Sequence, residues 1–199
     1  FSENSIFIDF GTFAEKNFSP NSDGVSYLYA ATKLAFKELA AFYSNSKSFN
    51  YLRLIPYSVY SDTLQDKKII DLIAKSAFST NPVAVTNGEQ VLDFTHRKDV
   101  VRIIKKIVEQ KDYSKLNKLE LDVCTGRGTS VRNLADMFSG FGLTPNLAWG
   151  DKAYREADIM YAVGDPRPAR EYLDFSSVYS LEETIEVITQ NLRIKYSFT

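Results

Sequence analysis

The chain has 199 residues, 44% hydrophobic and 25% charged, with 24 lysines and arginines against 25 aspartates and glutamates. That is ordinary globular composition with enough length to bury a core, and a formal charge of −1 leaves neither a basic footprint for nucleic acid nor an acidic tail. A single cysteine excludes an intramolecular disulfide, no apolar run approaches the ~20 residues that span a bilayer, and the opening FSENSIFIDF lacks the basic start of a secretory signal, so a soluble cytoplasmic protein with no membrane or nucleic-acid partner is expected.

Residues 5–11, SIFIDFG, form a short apolar run ending in glycine, the pattern of a buried parallel strand. A polar, turn-rich loop, TFAEKNFSPNSDGVS, follows. From about Ser26 to Tyr43 the chain reads as a long helix in which Leu28, Ala31, Ala35, Leu39 and Phe42 recur at three- and four-residue steps, a small apolar face suited to lying on a sheet. FNYLRLIPYSVY is a second strand whose ladder Pro56 stops, and strand, helix, strand is a parallel crossover unit.

KKIIDLIAKSAFS then reads as an amphipathic helix, PVAVTNGEQVLDF as two short strands around an Asn87-Gly88 turn, and RKDVVRIIKKIVEQ as a helix started near Asp99. KLELDVCTG is a third core strand. SVRNLADMFSGFG is a helix with Ser130 as N-cap and Gly140 as its stop, and the proline- and glycine-punctuated stretch from Leu143 to Tyr172 reads as irregular and surface-lying. SLEETIEVITQNL closes the chain as a helix opened by Ser180 in a capping-box pattern with Glu183.

Tyr29 and Lys33 lie one turn apart on the long helix, so phenol and ammonium project from the same face. The helix follows a buried strand and a long loop, where the crevice of an open parallel sheet belongs. An ammonium beside a phenol, whose isolated pKa is about 10, favours the phenolate and makes it able to exchange a proton with a substrate hydroxyl or carbonyl near neutral pH. That chemistry needs a hydride acceptor or donor, which no side chain supplies. A second pair at the same spacing, Tyr43 and Lys47 in YSNSK, sits at a fraying helix end and reads as incidental.

The order FIDFGTF, loop, YLYAATKLAF, YLRLIPYSVY, GEQVLDFTHRKDVV, LDVCTGRGTSVRNLADMF and WGDKAYREADIM resembles the later part of an extended short-chain dehydrogenase/reductase of the nucleotide-sugar epimerase/dehydratase family, over nearly the whole chain. The resemblance implies an α/β fold: residues 1–56 and 97–139 as the C-terminal portion of an NAD(P)-binding, Rossmann-like parallel sheet, and 57–96 and 140–199 as a small α+β substrate-binding lobe. It also implies NAD or NADP as cofactor, a nucleotide-sugar as substrate and a homodimer through the catalytic helix.

Within that family Tyr29 is implied as the acid/base, with Lys33 as its partner and a donor to the nicotinamide ribose. A Ser or Thr completes the set: DFGTF puts Phe10 at the usual hydroxyl position and Thr12 two places later, so Thr12 is the expected third catalytic residue and a substrate contact. Pro56 and Tyr57 fall where the family's chain passes the nicotinamide, although YSVYS stands in place of the usual YG. Gln90 and Arg155 correspond to positions lining the sugar-nucleotide site, where Arg155 would offer a bidentate donor to a diphosphate. His96, the one histidine, is expected to be structural, and no metal site is expected. CTGRGTS lacks the spacing of a phosphate-cradling loop and reads as a turn into a helix.

The family's Gly-rich nucleotide-binding turn is not in this sequence and is expected upstream of Phe1, a first residue that itself points to a natural start elsewhere. Two readings follow. One is an NAD(P)-dependent nucleotide-sugar epimerase, dehydratase or reductase, whose GTF and LYAATKLAF variants look nearest to enzymes making deoxyhexoses for surface polysaccharides. The other is a non-catalytic truncated or degenerate relative that keeps a sugar-nucleotide or partner-binding surface.

Overall fold

The computed structural model describes residues 5–17, 25–47, 49–65, 68–156 and 158–196. Strand β1 (Ile6–Phe10) runs parallel to β2 (Asn50–Pro56), Ile6 opposite Asn50 and Phe10 opposite Leu54, and α1 (Val25–Lys47) joins them as the crossover pattern requires. Next come β3 (Val59–Tyr60), α2 (Ile69–Ser76), β4 (Val83–Val85), β5 (Val91–Asp93), β6 (Thr95–His96) and α3 (Arg97–Val108). β7 (Leu119–Val123) returns to the free edge of β2, giving a parallel sheet in the order β1-β2-β7. The chain ends with β8 (Gly128–Ser130), α4 (Val131–Gly140), β9 (Leu147–Trp149), β10 (Tyr161–Ala162), α5 (Arg167–Leu173) and α6 (Leu181–Tyr196).

The two faces of this sheet differ chemically. On one, Leu52, Leu54, Leu121 and Val123 pack against Ile103 and Ile107 of α3 and Ala169 and Leu173 of α5, each large side chain contributing about 1.5–3 kcal/mol by leaving water. On the other, the register sets Asp9, Arg53 and Glu120 side by side beneath α1. That charged row decides how α1 lies. Its inward residues are Ala30, Lys33, Lys37, Ala40 and Ser44, and Lys37 Nζ reaches Glu120 Oε2 at 2.9 Å. The Leu28, Ala31, Ala35, Leu39, Phe42 stripe that the sequence points at the sheet is the outer face instead: Leu28, Leu39 and Phe42 are 66%, 57% and 65% exposed. A sheet face bearing carboxylates takes lysines and small residues, and the strongest apolar periodicity turns away from it.

A second core joins Ile70 and Ile73 of α2, Leu134 and Phe138 of α4, and Ile185 and Ile188 of α6 around Phe94. The two short strands expected around Asn87-Gly88 are present as β4 and β5, with partners elsewhere, and the expectation for the stretch after Leu143 is corrected. The segments flanking Asn87-Gly88 do not pair with each other: β4 pairs with β9, and β5 lies between β10 and β8. The Gly88 and Gln90 carbonyls accept from Arg132 and Val131 N–H at the start of α4, so this segment crosses between two small sheets rather than folding back on itself. The stretch read as irregular, Leu143 to Tyr172, holds β9, β10 and most of α5, whose Pro168 sits in its first turn, where its missing N–H is harmless.

Candidate active site

β1 ends in a turn written TFAE, a capping box. Thr12 Oγ1 accepts from Ala14 N–H at 3.3 Å, while Glu15 Oε1 accepts from Thr12 N–H at 2.8 Å, and a short 3-10 turn, Phe13–Asn17, follows. Burial raises the Glu15 carboxyl above its usual range. The Thr12 oxygen accepts this bond, and its O–H has no acceptor among the described residues.

Outward lie two adjoining cavities. The larger, about 660 Å³, is lined by Thr12, Phe13, Tyr29, Ile69, Leu72, Val85, Thr86, Gln90, Lys152 and Asp158. The smaller, about 270 Å³, lies at the carboxyl ends of β1 and β2, between Gly11, Thr12 and Tyr29 and the segment Pro56, Ser58 and Val59. Thr12 and Tyr29 stand on the walls of both. Tyr29, on α1, is 51% exposed, and Lys33 Nζ donates to the Phe10 carbonyl at 2.8 Å, which ties the helix to the end of β1 two residues before Thr12. The fold thus brings Thr12 and Tyr29 to both cavities, and Lys33, which lines neither, to the strand end beside them.

The other expected residues divide. Pro56 lines the smaller cavity, but Tyr57 lines neither: it is buried, its ring stacks on Phe13 with centroids 5.4 Å apart, and its hydroxyl donates to Asp122 Oδ2 at 3.3 Å. Burial raises that hydroxyl above the ordinary tyrosine value. Lys16 Nζ holds the same carboxylate at 2.6 Å, and Asp165 N–H donates to it at 2.9 Å, so the Tyr57 hydroxyl is spent inside the protein. Gln90 lines the larger cavity, its amide 3.4 Å from Thr86 Oγ1. Arg155 is exposed and outside the walls of both cavities. Its backbone N–H holds Asp158 Oδ2 at 2.9 Å, and the cation on that wall is Lys152.

His96 caps α3: its Nδ1 accepts from Lys98 N–H at 3.2 Å, and burial lowers its pKa. Cys124 is buried and its thiol is pushed up by burial. Among the described residues no group of three or more His, Cys, Asp and Glu could hold a metal ion, and no helix is long and apolar enough to cross a membrane. The sequence reading does not single out Lys152, Asp158, Ser58 or Glu15. Only Glu15 carried a local signal, the TxxE spacing; the rest reach the cavities through pairings distant in sequence, Lys152 because its N–H bonds the Val85 carbonyl beside the β4–β9 ladder.

The chain is similar to known proteins in sequence and in fold. CDP-abequose synthase of Yersinia pseudotuberculosis is 27% identical over 156 residues, 77% of this chain and 53% of that protein, so the chain spans about half the length of this curated relative. MoeE5 in complex with UDP-glucuronic acid and NAD superposes with a TM-score of 0.81 at 22% identity, over 96% of this chain and 66% of that one. RMD from Pseudomonas aeruginosa complexed with NADPH gives 0.77 at 13% identity, over 96% and 68%. These two likenesses are of fold, a mixed α/β architecture with a parallel Rossmann-like sheet. The family model described as NAD dependent epimerase/dehydratase matches residues 11–119, more than half of the 199 residues, and the chain belongs to that family.

Proposed function

We propose that this chain forms the catalytic part of an NAD(P)-dependent nucleotide-sugar epimerase, dehydratase or reductase in which Tyr29 moves a proton at a sugar oxygen while hydride moves at the same carbon. The observation that carries this reading is the position of Tyr29 and Thr12 on the wall shared by two adjoining cavities, one deep enough for a sugar-nucleotide and one at the ends of parallel strands.

The smaller cavity fits the nicotinamide end of a dinucleotide by its donor set. Ser58 and Pro56 lie on its wall, where the Gly11 N–H is spent on the Leu54 carbonyl, and Lys33, which lines neither cavity, keeps two N–H groups beyond the one used on Phe10 at the strand end beside it. Ser58 and Pro56 would hold the group there, with Lys33 reaching it from the strand end, and when bound it supplies the hydride acceptor or donor. Thr12 gives its free O–H to the substrate oxygen and so holds that oxygen for Tyr29. The phenol of Tyr29 gives up or takes the proton at that oxygen. Across the larger cavity Lys152 meets the diphosphate and Gln90 the sugar hydroxyls, while Leu72, Val85 and Val131 exclude water.

The relative that synthesises CDP-abequose and the solved proteins holding UDP-glucuronic acid with NAD or holding NADPH support a nucleotide-linked sugar and a nicotinamide cofactor. Surface polysaccharide precursors are the substrate class that the abequose likeness favours. The test is the full-length polypeptide containing this chain, assayed against a panel of UDP- and CDP-sugars by nicotinamide absorbance. Tyr29→Phe keeps the ring and removes the proton carrier, and it should lower turnover by about 10²–10⁴-fold. Turnover at the wild-type rate in that variant overturns the reading.

A further inference from the structure

Arg53 is an odd occupant for the middle of a sheet. It stands at the centre of β2, only 1% exposed, and two of its nitrogens, Nε and Nη1, find no hydrogen-bond partner among the described residues. Nε lies 3.3 Å from Asp9 Oδ2, an ion pair without hydrogen-bond geometry. A buried guanidinium with unmet donors is a poor stabiliser, and an apolar side chain of similar volume commonly serves stability as well or better. The work of Arg53 is therefore sought in what its third nitrogen joins.

That nitrogen, Nη2, touches two different elements. It donates to Glu15 Oε1 at 2.9 Å and to the Lys33 carbonyl at 3.1 Å. Glu15 Oε1 is the same oxygen that holds Thr12 N–H at 2.8 Å, and Lys33 belongs to the helix turn that follows Tyr29. Gly11 completes the contact: a Cβ there would stand 2.6 Å from Arg53 Nε and 2.3 Å from Ile55 Cδ1, so the backbone leading into Thr12 is pressed against the guanidinium plane. One planar group thus connects the strand-end turn bearing Thr12 to the helix bearing Tyr29 and Lys33, from below and away from both cavities.

We propose that Arg53 and Glu15 are positioning residues that set the separation between the Thr12 hydroxyl and the Tyr29 phenol. The inference rests on the reading of those two groups as the contacts to the reacting oxygen. Neither Arg53 nor Glu15 lines either cavity, so each acts only through the residues it holds. Lysine cannot replace Arg53 here, because a single ammonium lacks the flat fork that reaches carboxylate and carbonyl together while packing on Gly11.

Two measurements on the full-length polypeptide decide the matter. In crystals of the ligand-free Glu15→Ala protein, which loses the oxygen that accepts from both Thr12 N–H and Arg53 Nη2, the distance from Thr12 Oγ1 to Tyr29 Oη should change by about 1 Å while β1 and β2 superpose, and Arg53→Lys is the second variant should the first not fold. An unchanged distance overturns the proposal. In steady-state turnover of the nucleotide-sugar that the wild type accepts, Glu15→Ala should lower kcat by about 10²-fold with KM unchanged, the penalty of about 1 Å of misplacement. In a Thr12→Ala background the same change should cost nothing further, because its effect passes through Thr12. An equal loss in both backgrounds indicates a merely structural role and overturns the proposal. If Tyr29→Phe retains full turnover, the functional reading fails by itself, and the crystallographic distance still tests the brace.

Discussion

Thr12 shows how a single side chain can be both cap and donor. Its oxygen accepts from Ala14 N–H and the residue lines both cavities, so the O–H is available to donate to a ligand there. Thr12→Ser keeps both roles and should keep turnover within about tenfold of wild type, whereas Thr12→Val keeps the shape, loses the donor and should lower kcat by about 10²–10³-fold. Steady-state kinetics of the two variants checks this, and equal rates would remove Thr12 from the chemistry. His96 carries a different prediction. Its Nδ1 needs a lone pair to accept from Lys98 N–H, and burial, with Lys98 and Arg97 nearby, lowers its pKa against the pull of Asp62 and Asp99. The neutral form is favoured in the folded protein, so the unfolded chain takes up its proton first. Stability from this residue is complete above the ordinary histidine value of about 6.5 and is lost as pH falls below it. Melting temperature should drop between about pH 7 and pH 5, and His96→Asn, which can also cap, should flatten that slope. Asp62 and Asp165, whose carboxyls lie below their usual range, act in a separate and more acidic window.

At the scale of elements, caps and crossovers were written locally, and what lies across the sheets was not. Ser130 Oγ accepts from Asn133 N–H at 3.0 Å, as its place before an apolar-periodic run predicts. Ser130→Ala should therefore cost about 1 kcal/mol, read by urea denaturation as a lower midpoint at constant slope. Strand, helix, strand over residues 6–56 was legible for the same reason: apolar runs, a loop and a proline act within a few residues. The burial of α1 was not. Its apolar stripe was plain, but the side it turns inward depends on Asp9, Arg53 and Glu120, which come from three strands distant in sequence. Two- and three-residue strands such as β9 and β10 carry too short a pattern to show periodicity, and their partners β4 and β5 lie 64 to 70 residues away. Around the cavities, the shared helix face of Tyr29 and Lys33 was legible from their one-turn spacing, whereas Thr12 was reached only through the family resemblance. Lys152 was not legible, since only the β4–β9 ladder carries it to the wall on which Arg155, three residues later, has no place.

For the molecule as a whole, the two cavities divide the ligand chemistry between their unshared walls. Lys152 and Gln90 line only the larger, Pro56 and Ser58 only the smaller, and Thr12 and Tyr29 belong to both. A substitution on an unshared wall should then affect one ligand and spare the other. In the full-length polypeptide, a ligand at a hundred times its Kd should raise stability by about 2.7 kcal/mol, which makes the melting temperature a readout for each ligand separately. Lys152→Met removes a charge-assisted donor and should weaken a UDP-sugar probe by at least about tenfold while leaving NADH affinity intact. Ser58→Ala removes a neutral hydroxyl and should weaken NADH by a smaller factor, about 1 kcal/mol, with the UDP-sugar unaffected. If either variant weakened both ligands alike, the cavities would be one site, and Tyr29 could no longer be placed between an oxygen that exchanges a proton and a ring that exchanges a hydride.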